Sequence, residues 1–318
     1  VNGTGLPARR VGALTGAVPR AIRPVGGGDV CAAHRVELDD GRTVFVKTLP
    51  HAPPGFFAAE AAGLDVLRTT GAVAVPAVLA AVPDLLVLEW VEESGPTPER
   101  AERLGRELAA LHSTPAPHWG GQAPLYLGTL PLSTPAPPVA DPAAWPAFHA
   151  EHRLLPALRL ARDGGGIGER DAADVERLCA RIGEVAGDPR PPAVIHGDLW
   201  AGNVLWAADG RPHLIDPAAQ GGHPETDLAL LELFGCAHLG RLLAAYEEIR
   251  PLPGRAARAP LHRLHHLLVH AVLFGGGYGA RSGAAGRAGR PRRERGGGAR
   301  GAVAGEDPLA VPARPGRR

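Results

Sequence analysis

The chain is expected to fold as an α+β protein, a β-rich first third followed by a larger, mainly helical remainder. Three observations carry this. Between Ile22 and Lys47, short apolar runs are separated by Gly26-Gly27-Gly28-Asp29 and by Asp39-Asp40-Gly41, the punctuation of strands and hairpins. From Pro98 to His112, the apolar residues Ala101, Leu104, Leu108 and Leu111 recur at helical spacing. The stretch Val194–Asn203 (VIHGDLWAGN), with Leu214-Ile215-Asp216 after it, sets Asp and Asn between short apolar runs. At 318 residues and 45% hydrophobic content, the chain can bury a sizeable core in one two-lobed unit or two modest domains.

In chain order, Ile22–Val25 leads into the glycines, a strand-like stretch follows to Leu38, and Thr43–Lys47 is the next strand. Glycines between two strands let backbone amides approach a polyphosphate closely, and Lys47, ending the next strand, is placed to neutralise it. Phe56–Leu67 reads as a helix with Phe56, Phe57, Leu64 and Leu67 as core and Glu60 available to pair with Lys47. Val82–Val91 reads as one apolar strand. Ser113–Pro146, rich in Pro and small residues, is expected to be a long surface loop. Asp171–Val185 reads as a helix beneath the central stretch. Asp227, opening the helix after Pro224, is expected to cap it or brace the loop at 196–198, and Glu225 to cap or to support the substrate side. His262, His266 and His270 share a helical face at the spacing of helical zinc ligands, but no acid accompanies them, so packing is the expectation.

The central stretch carries the chemistry. Ala193-Val194-Ile195 delivers His196-Gly197-Asp198. Val204-Leu205, the turn at Ala208-Asp209-Gly210 and His213–Ile215 form a hairpin that delivers Asp216. One end of it presents Asp198, Asn203 and Asp216 together. Asn and Asp oxygens suit a hard cation of the Mg²⁺ type, and a carboxylate five positions before the Asn can take a proton from an attacking hydroxyl. That division of labour is the one used in kinase-type phosphoryl transfer. Singly, each of these residues is as well explained by a turn; the spaced set is not.

HGDLWAGN followed by LIDPAAQGGHPETDLALLELFG resembles the fructosamine kinase (ketosamine 3-kinase) family, whose protein-kinase-like fold is shared with aminoglycoside and choline kinases. Trp200 and Asp216-Pro217-Ala218 point to the fructosamine branch, and the likeness runs from about Val11 to Tyr278. It implies a nucleotide lobe over 1–92, a catalytic and substrate lobe over 93–278, and transfer from ATP, with Mg²⁺, to the carbon-3 hydroxyl of a ketosamine. In that scheme Asp198 is the base and Asn203 and Asp216 hold the metal. Gly26, Gly27, Gly28, Lys47 and Glu60 serve the nucleotide, and Trp200 and His196 face the substrate. The segments Gly128–Leu132 and Trp145–Pro156 flank the sugar. A kinase for aminoglycosides or amino alcohols is the nearest alternative; an inactive nucleotide-binding scaffold would be expected to have lost one of Lys47, Glu60, Asp198, Asn203 or Asp216.

Composition bounds the rest. Three cysteines, Cys31, Cys179 and Cys236, with no paired spacing, favour neither a disulfide framework nor a zinc site, and a reduced cytoplasm is expected. No stretch resembles a signal peptide or a membrane span. The absence of Met and the initial Val1 are read as a GTG start translated literally. The net charge of +1 conceals an asymmetry: residues 279–318 carry ten Arg and three acids, leaving −6 for residues 1–278. Built from Arg, Gly, Ala and Pro without apolar periodicity, that tail is expected to be disordered from Gly279 onward. A frameshifted reading of a GC-rich gene is expected rather than a nucleic-acid arm.

Overall fold

The computed structural model describes residues 8–26 and 30–288. A short helix, α1 (Ala8–Thr15), precedes β1 (Pro19–Val25), β2 (Ala32–Leu38) and β3 (Thr43–Thr48). Helix α2 (Phe56–Thr69) follows, then β4 (Val78–Val82) and β5 (Leu85–Glu89). The five strands form one antiparallel sheet in the order β1-β2-β3-β5-β4. Val36, Val44, Val46, Leu85 and Val87 alternate onto one face against Val11 of α1. Phe56, Phe57 and Leu64 of α2 cover Leu86 and Leu88 on the other, so the sheet is a two-sided layer with Lys47 in its central strand. The strand expected at Val82–Val91 is present as β5 (Leu85–Glu89), the second arm of a hairpin with β4 (Val78–Val82). Pro83-Asp84 makes the turn, because proline fixes φ for a turn and cannot donate to a ladder.

The remainder begins with α3 (Pro98–Leu111), capped by the Thr97 side chain on the Arg100 amide. The pair β6 (Tyr126–Leu127) and β7 (Leu130–Pro131) follows, then α4 (Trp145–His149), a π-helical turn at Ala150–Leu154, α5 (Leu155–Asp163) and α6 (Glu169–Cys179). The segment read as a surface loop is partly core: Trp119, Leu125 and Leu127 are buried, and Trp119 stacks on Phe148 at 5.9 Å. Helix α6 ends at Cys179 and packs on α5.

Strand β8 (Ala193–Ile195) pairs with β11 (Gln220–Gly222), and β9 (Val204–Trp206) with β10 (Pro212–Leu214), giving the expected hairpin before Asp216. Helices α7 (Glu225–Phe234), α8 (Leu239–Ile249), α9 (Arg255–Phe274) and α10 (Tyr278–Ala288) complete the fold. α9 is central, its Leu261, Leu264, Leu267 and Leu268 all buried.

Helix α10 corrects the expectation of disorder from Gly279. It packs on α6 and α9 without a large apolar stripe, because glycines let the backbones meet. A Cβ on Gly279 would stand 2.2 Å from the Gly166 carbonyl oxygen, and one on Gly283 2.0 Å from the Asp171 carboxylate. Arg287 then bridges Asp171 (2.9 Å) and Asp174 (2.6 Å). The rest of the expected tail, 289–318, lies outside the described residues. Among the described residues, no helix is long and apolar enough to cross a membrane.

Candidate active site

Between the sheet and the helical part lies a cleft lined by Lys47, Glu60, Asp198, Trp200, Asn203 and Asp216, with Gly26 and Cys31 at one end. Strand β3 holds Lys47 in the sheet's centre, where its ammonium meets Glu60 of α2 at 2.8 Å and Asp216 at 2.5 Å. Burial works against that ammonium, but the two carboxylates outweigh it and raise its pKa above the ordinary lysine value. Glu60 is pushed up to about 7, by burial first and Asp216 next, against the pull of Lys47. The expected Lys47–Glu60 pair therefore forms, and it reaches across to the hairpin. Asp216 itself has a left-handed backbone, φ 57°, a conformation Asp tolerates better than most side chains.

The loop bearing Asp198 is gripped from beneath. Asp227 accepts from the amides of His196 (2.7 Å) and Gly197 (2.9 Å) and meets His112 Nε2 at 3.1 Å, while His112 Nδ1 meets the Tyr246 hydroxyl at 3.0 Å. Burial alone would raise the Asp227 carboxyl; His112, His196 and the amide of Gly197 hold it below the ordinary value, so a stable carboxylate braces the loop. Gly197, φ 82°, admits no side chain, since a Cβ would stand 2.3 Å from the Ala218 carbonyl oxygen. Asn203 donates to the Asp198 carbonyl at 2.8 Å and lies 3.4 Å from its carboxylate. Asp198 is pushed up to about 8, by burial first and then by Asp216 and Asp227. A carboxyl so tuned, 22% exposed at the cleft floor, suits proton abstraction near neutral pH.

His196 is a correction. Its side chain is fully buried, with Nε2 3.0 Å from the Ile215 carbonyl oxygen and Nδ1 accepting from the Asp198 amide at 3.2 Å. It ties the loop to the hairpin and does not line the cleft. Gly26 lines the cleft; Gly27 and Gly28 lie outside the described residues. Trp200 lies over Gly202, where a Cβ would meet the indole at 2.2 Å, and packs edge-on to Phe234 at 6.1 Å. Cys31 has its thiol pushed up to about 11 by burial, so it is a poor nucleophile.

Phe234, His270, Leu273 and Phe274 complete the wall beside Trp200, and Leu125–Gly128 also line the cleft, Gly128 against Leu273. From the sequence, the helix of His270 is expected to pack, residues 125–127 to lie in a surface loop and Gly128 to flank the sugar, while Phe234 carries no site role; the LFG that ends α7 and the LFGGG that ends α9 are the available signals. His262 and His266 do pack as expected, but His270 faces the cleft. Glu225 neither caps the helix nor lines the cleft: Arg258 holds it at 2.5 and 3.0 Å. Donor atoms of His223, Glu225 and His262 lie within 4.8 Å of one another, close enough for a cation. Yet Arg258 already neutralises Glu225, and a buried divalent ion would leave uncompensated charge, so this cluster is an ion pair among neutral rings.

The profile of the fructosamine kinase family matches residues 11–285. A Thermus thermophilus protein assigned as a ketoamine kinase is 40% identical over 257 residues, 80% of this chain and 88% of its own. A crystal structure assigned as a fructosamine-3-kinase from Thermobifida fusca superposes with TM-score 0.82 at 46% identity, covering 91% of this chain and 99% of that one. A type I macrolide 2′-phosphotransferase, at TM-score 0.59 and 19% identity over 87% of this chain and 95% of its own, shares the fold. The chain belongs to the fructosamine kinase family, ATP-dependent phosphotransferases on a two-lobed, protein-kinase-like α+β fold.

Proposed function

We propose that this protein transfers the γ-phosphoryl group of ATP to the carbon-3 hydroxyl of a ketosamine such as fructosamine or ribulosamine, free or protein-bound, as a step in deglycation. The observation that carries the reading is Asp198, raised toward neutrality, in one cleft with the Lys47–Glu60–Asp216 cluster and the aromatic wall of Trp200 and Phe234. Asp198 takes the proton of the attacking hydroxyl and orients its oxygen. Lys47, kept charged by its carboxylates, holds the nucleotide phosphates together with the glycines at 26–28, and Glu60 fixes its direction. Asn203 directs its NH₂ at Asp198, which leaves Oδ1 as a cation donor; with the Asp216 carboxylate it forms the hard oxygen pair that Mg²⁺ takes. When bound, the ion would neutralise charge developing on the transferred phosphoryl. Trp200 packs against the apolar face of the sugar.

The nucleotide lobe is assigned to residues 1–92 and the catalytic lobe to 93–278. Three free thiols suit a cytoplasmic location, and neither a membrane nor a nucleic acid is assigned as partner. Against a polycationic aminoglycoside stands the lining: its carboxylates among the described residues are Glu60, Asp198 and Asp216, all given roles in the transfer itself, with none left over to pair with further ammonium groups. An ADP-release assay with ketosamines, aminoglycosides and choline tests the reading. Turnover is expected with ketosamines alone, and activity confined to aminoglycosides or choline would replace it.

A further inference from the structure

The turn Gly197-Asp198 is held at more points than the brace of Asp227 provides. On its amide side, Asp227 takes the N–H of Gly197. On its carbonyl side, His266 of α9, 1% exposed, sets Nε2 3.0 Å from the Gly197 oxygen. A carbonyl only accepts, so His266 is the donor, in its Nε2–H tautomer; burial keeps the ring uncharged, its pKa held at about 4. The peptide thus clamped is the one that enters Asp198, and its plane sets the direction of the Asp198 side chain. The same Nε2 stands 3.9 Å from Asp198 Oδ1, too far to hydrogen-bond the carboxylate and close enough to wall it. The His266 carbonyl in turn accepts from Nδ1 of the cleft-lining His270 at 2.8 Å, so one α9 residue ties the base to the acceptor wall.

We propose that His266 is a positioning residue for phosphoryl transfer: by clamping the Gly197 carbonyl to α9 it fixes the orientation of Asp198 toward the acceptor hydroxyl. This rests on the assignment of Asp198 as base. Misorientation of a catalytic group lowers turnover more than substrate binding, because both substrates are held by other residues. The test is a double-mutant cycle of His266→Leu with Asp198→Asn, with His266→Gln as the conservative variant and thermal unfolding measured on each protein. His266→Leu is expected to lower kcat about tenfold, with KM for ATP and ketosamine within about twofold. His266→Gln, whose amide can donate to the same carbonyl, is expected to recover most of it. In the Asp198→Asn background, His266→Leu is expected to cost nothing further, since the group it aims has gone. An equal loss in both backgrounds, an unchanged kcat in His266→Leu, or a loss in Leu and Gln alike that follows the unfolded fraction would overturn the proposal. If Asp198→Asn alone keeps near-normal turnover, the assignment of the base fails instead, and that outcome is read from the single variant.

Discussion

Two buried polar clusters, one in the helical part of this protein and one where that part meets the sheet, differ in how many carboxyl groups each cation serves. At the start of α7, Glu225 is neutralised by Arg258, and His149, His223 and His262 pack around Trp145 as uncharged rings. At the cleft, three carboxylates, Glu60, Asp198 and Asp216, face the single ammonium of Lys47 among the described lining residues. Both clusters have nearly inaccessible members, so burial does not separate them. The crowding of three carboxyl groups on one ammonium at the cleft, which raises Glu60 and Asp198 toward neutrality, marks chemistry; the closed ion pair marks packing.

That contrast can be broken by substitution. The largest effect is expected from Asp198→Asn: turnover falls by about 10²- to 10⁴-fold, the span for a lost general base, while ATP affinity stays nearly intact in a nucleotide-binding titration. Stability should hold or rise, since the variant removes one of the crowded carboxylates. Arg258→Met should do the opposite. It strands the Glu225 carboxylate at 1% side-chain exposure and should lower unfolding free energy by about 3–5 kcal/mol, with turnover per folded molecule unchanged.

Next comes pH. His149 and His262 have folded values near 3 and His266 near 4, all depressed by burial below the ordinary 6.5, and His223 and His265 are also well below it. A depressed folded value means the unfolded chain binds more protons, so stability is full above about 6.5 and falls as pH drops toward the folded values. The slope is about 1.4 kcal/mol per histidine for each pH unit. Denaturant midpoints should therefore collapse between about pH 6.5 and 5; a flat profile there would mean these rings are not held neutral. The smallest effect sharpens the acceptor side. Trp200→Ala should weaken kcat/KM for the ketosamine about three- to tenfold, as expected for one aromatic contact, with ATP binding unchanged. An equal loss in nucleotide binding and stability would make Trp200 core.

How legible all this was in the sequence follows the same division. Asp198, Asn203 and Asp216 could be placed together because a short hairpin fixes them by local spacing, and Lys47 with Glu60 because a strand and the next helix do so. His196 could not be resolved: its tie to the Ile215 carbonyl is a contact across the hairpin that spacing alone does not rank against a substrate role. The aromatic wall of Phe234, His270 and Phe274 is assembled from the ends of two helices, so no local pattern announces it. Helix α10 escaped for another reason. Periodicity reports apolar side chains, and this helix docks through their absence at Gly279, Gly283 and Gly286.

If the crowded carboxyl groups at the cleft direct phosphoryl transfer to a ketosamine hydroxyl, the identity of the product shows it most directly. Incubation with ATP, Mg²⁺ and a fructosamine, followed by ³¹P–¹H correlation of the product, should show phosphorus coupled to the proton on carbon 3. That signal should vanish without a divalent cation and in Asp198→Asn. Phosphate on a different hydroxyl, or ATP consumed at the same rate with no ketosamine present, would contradict the account.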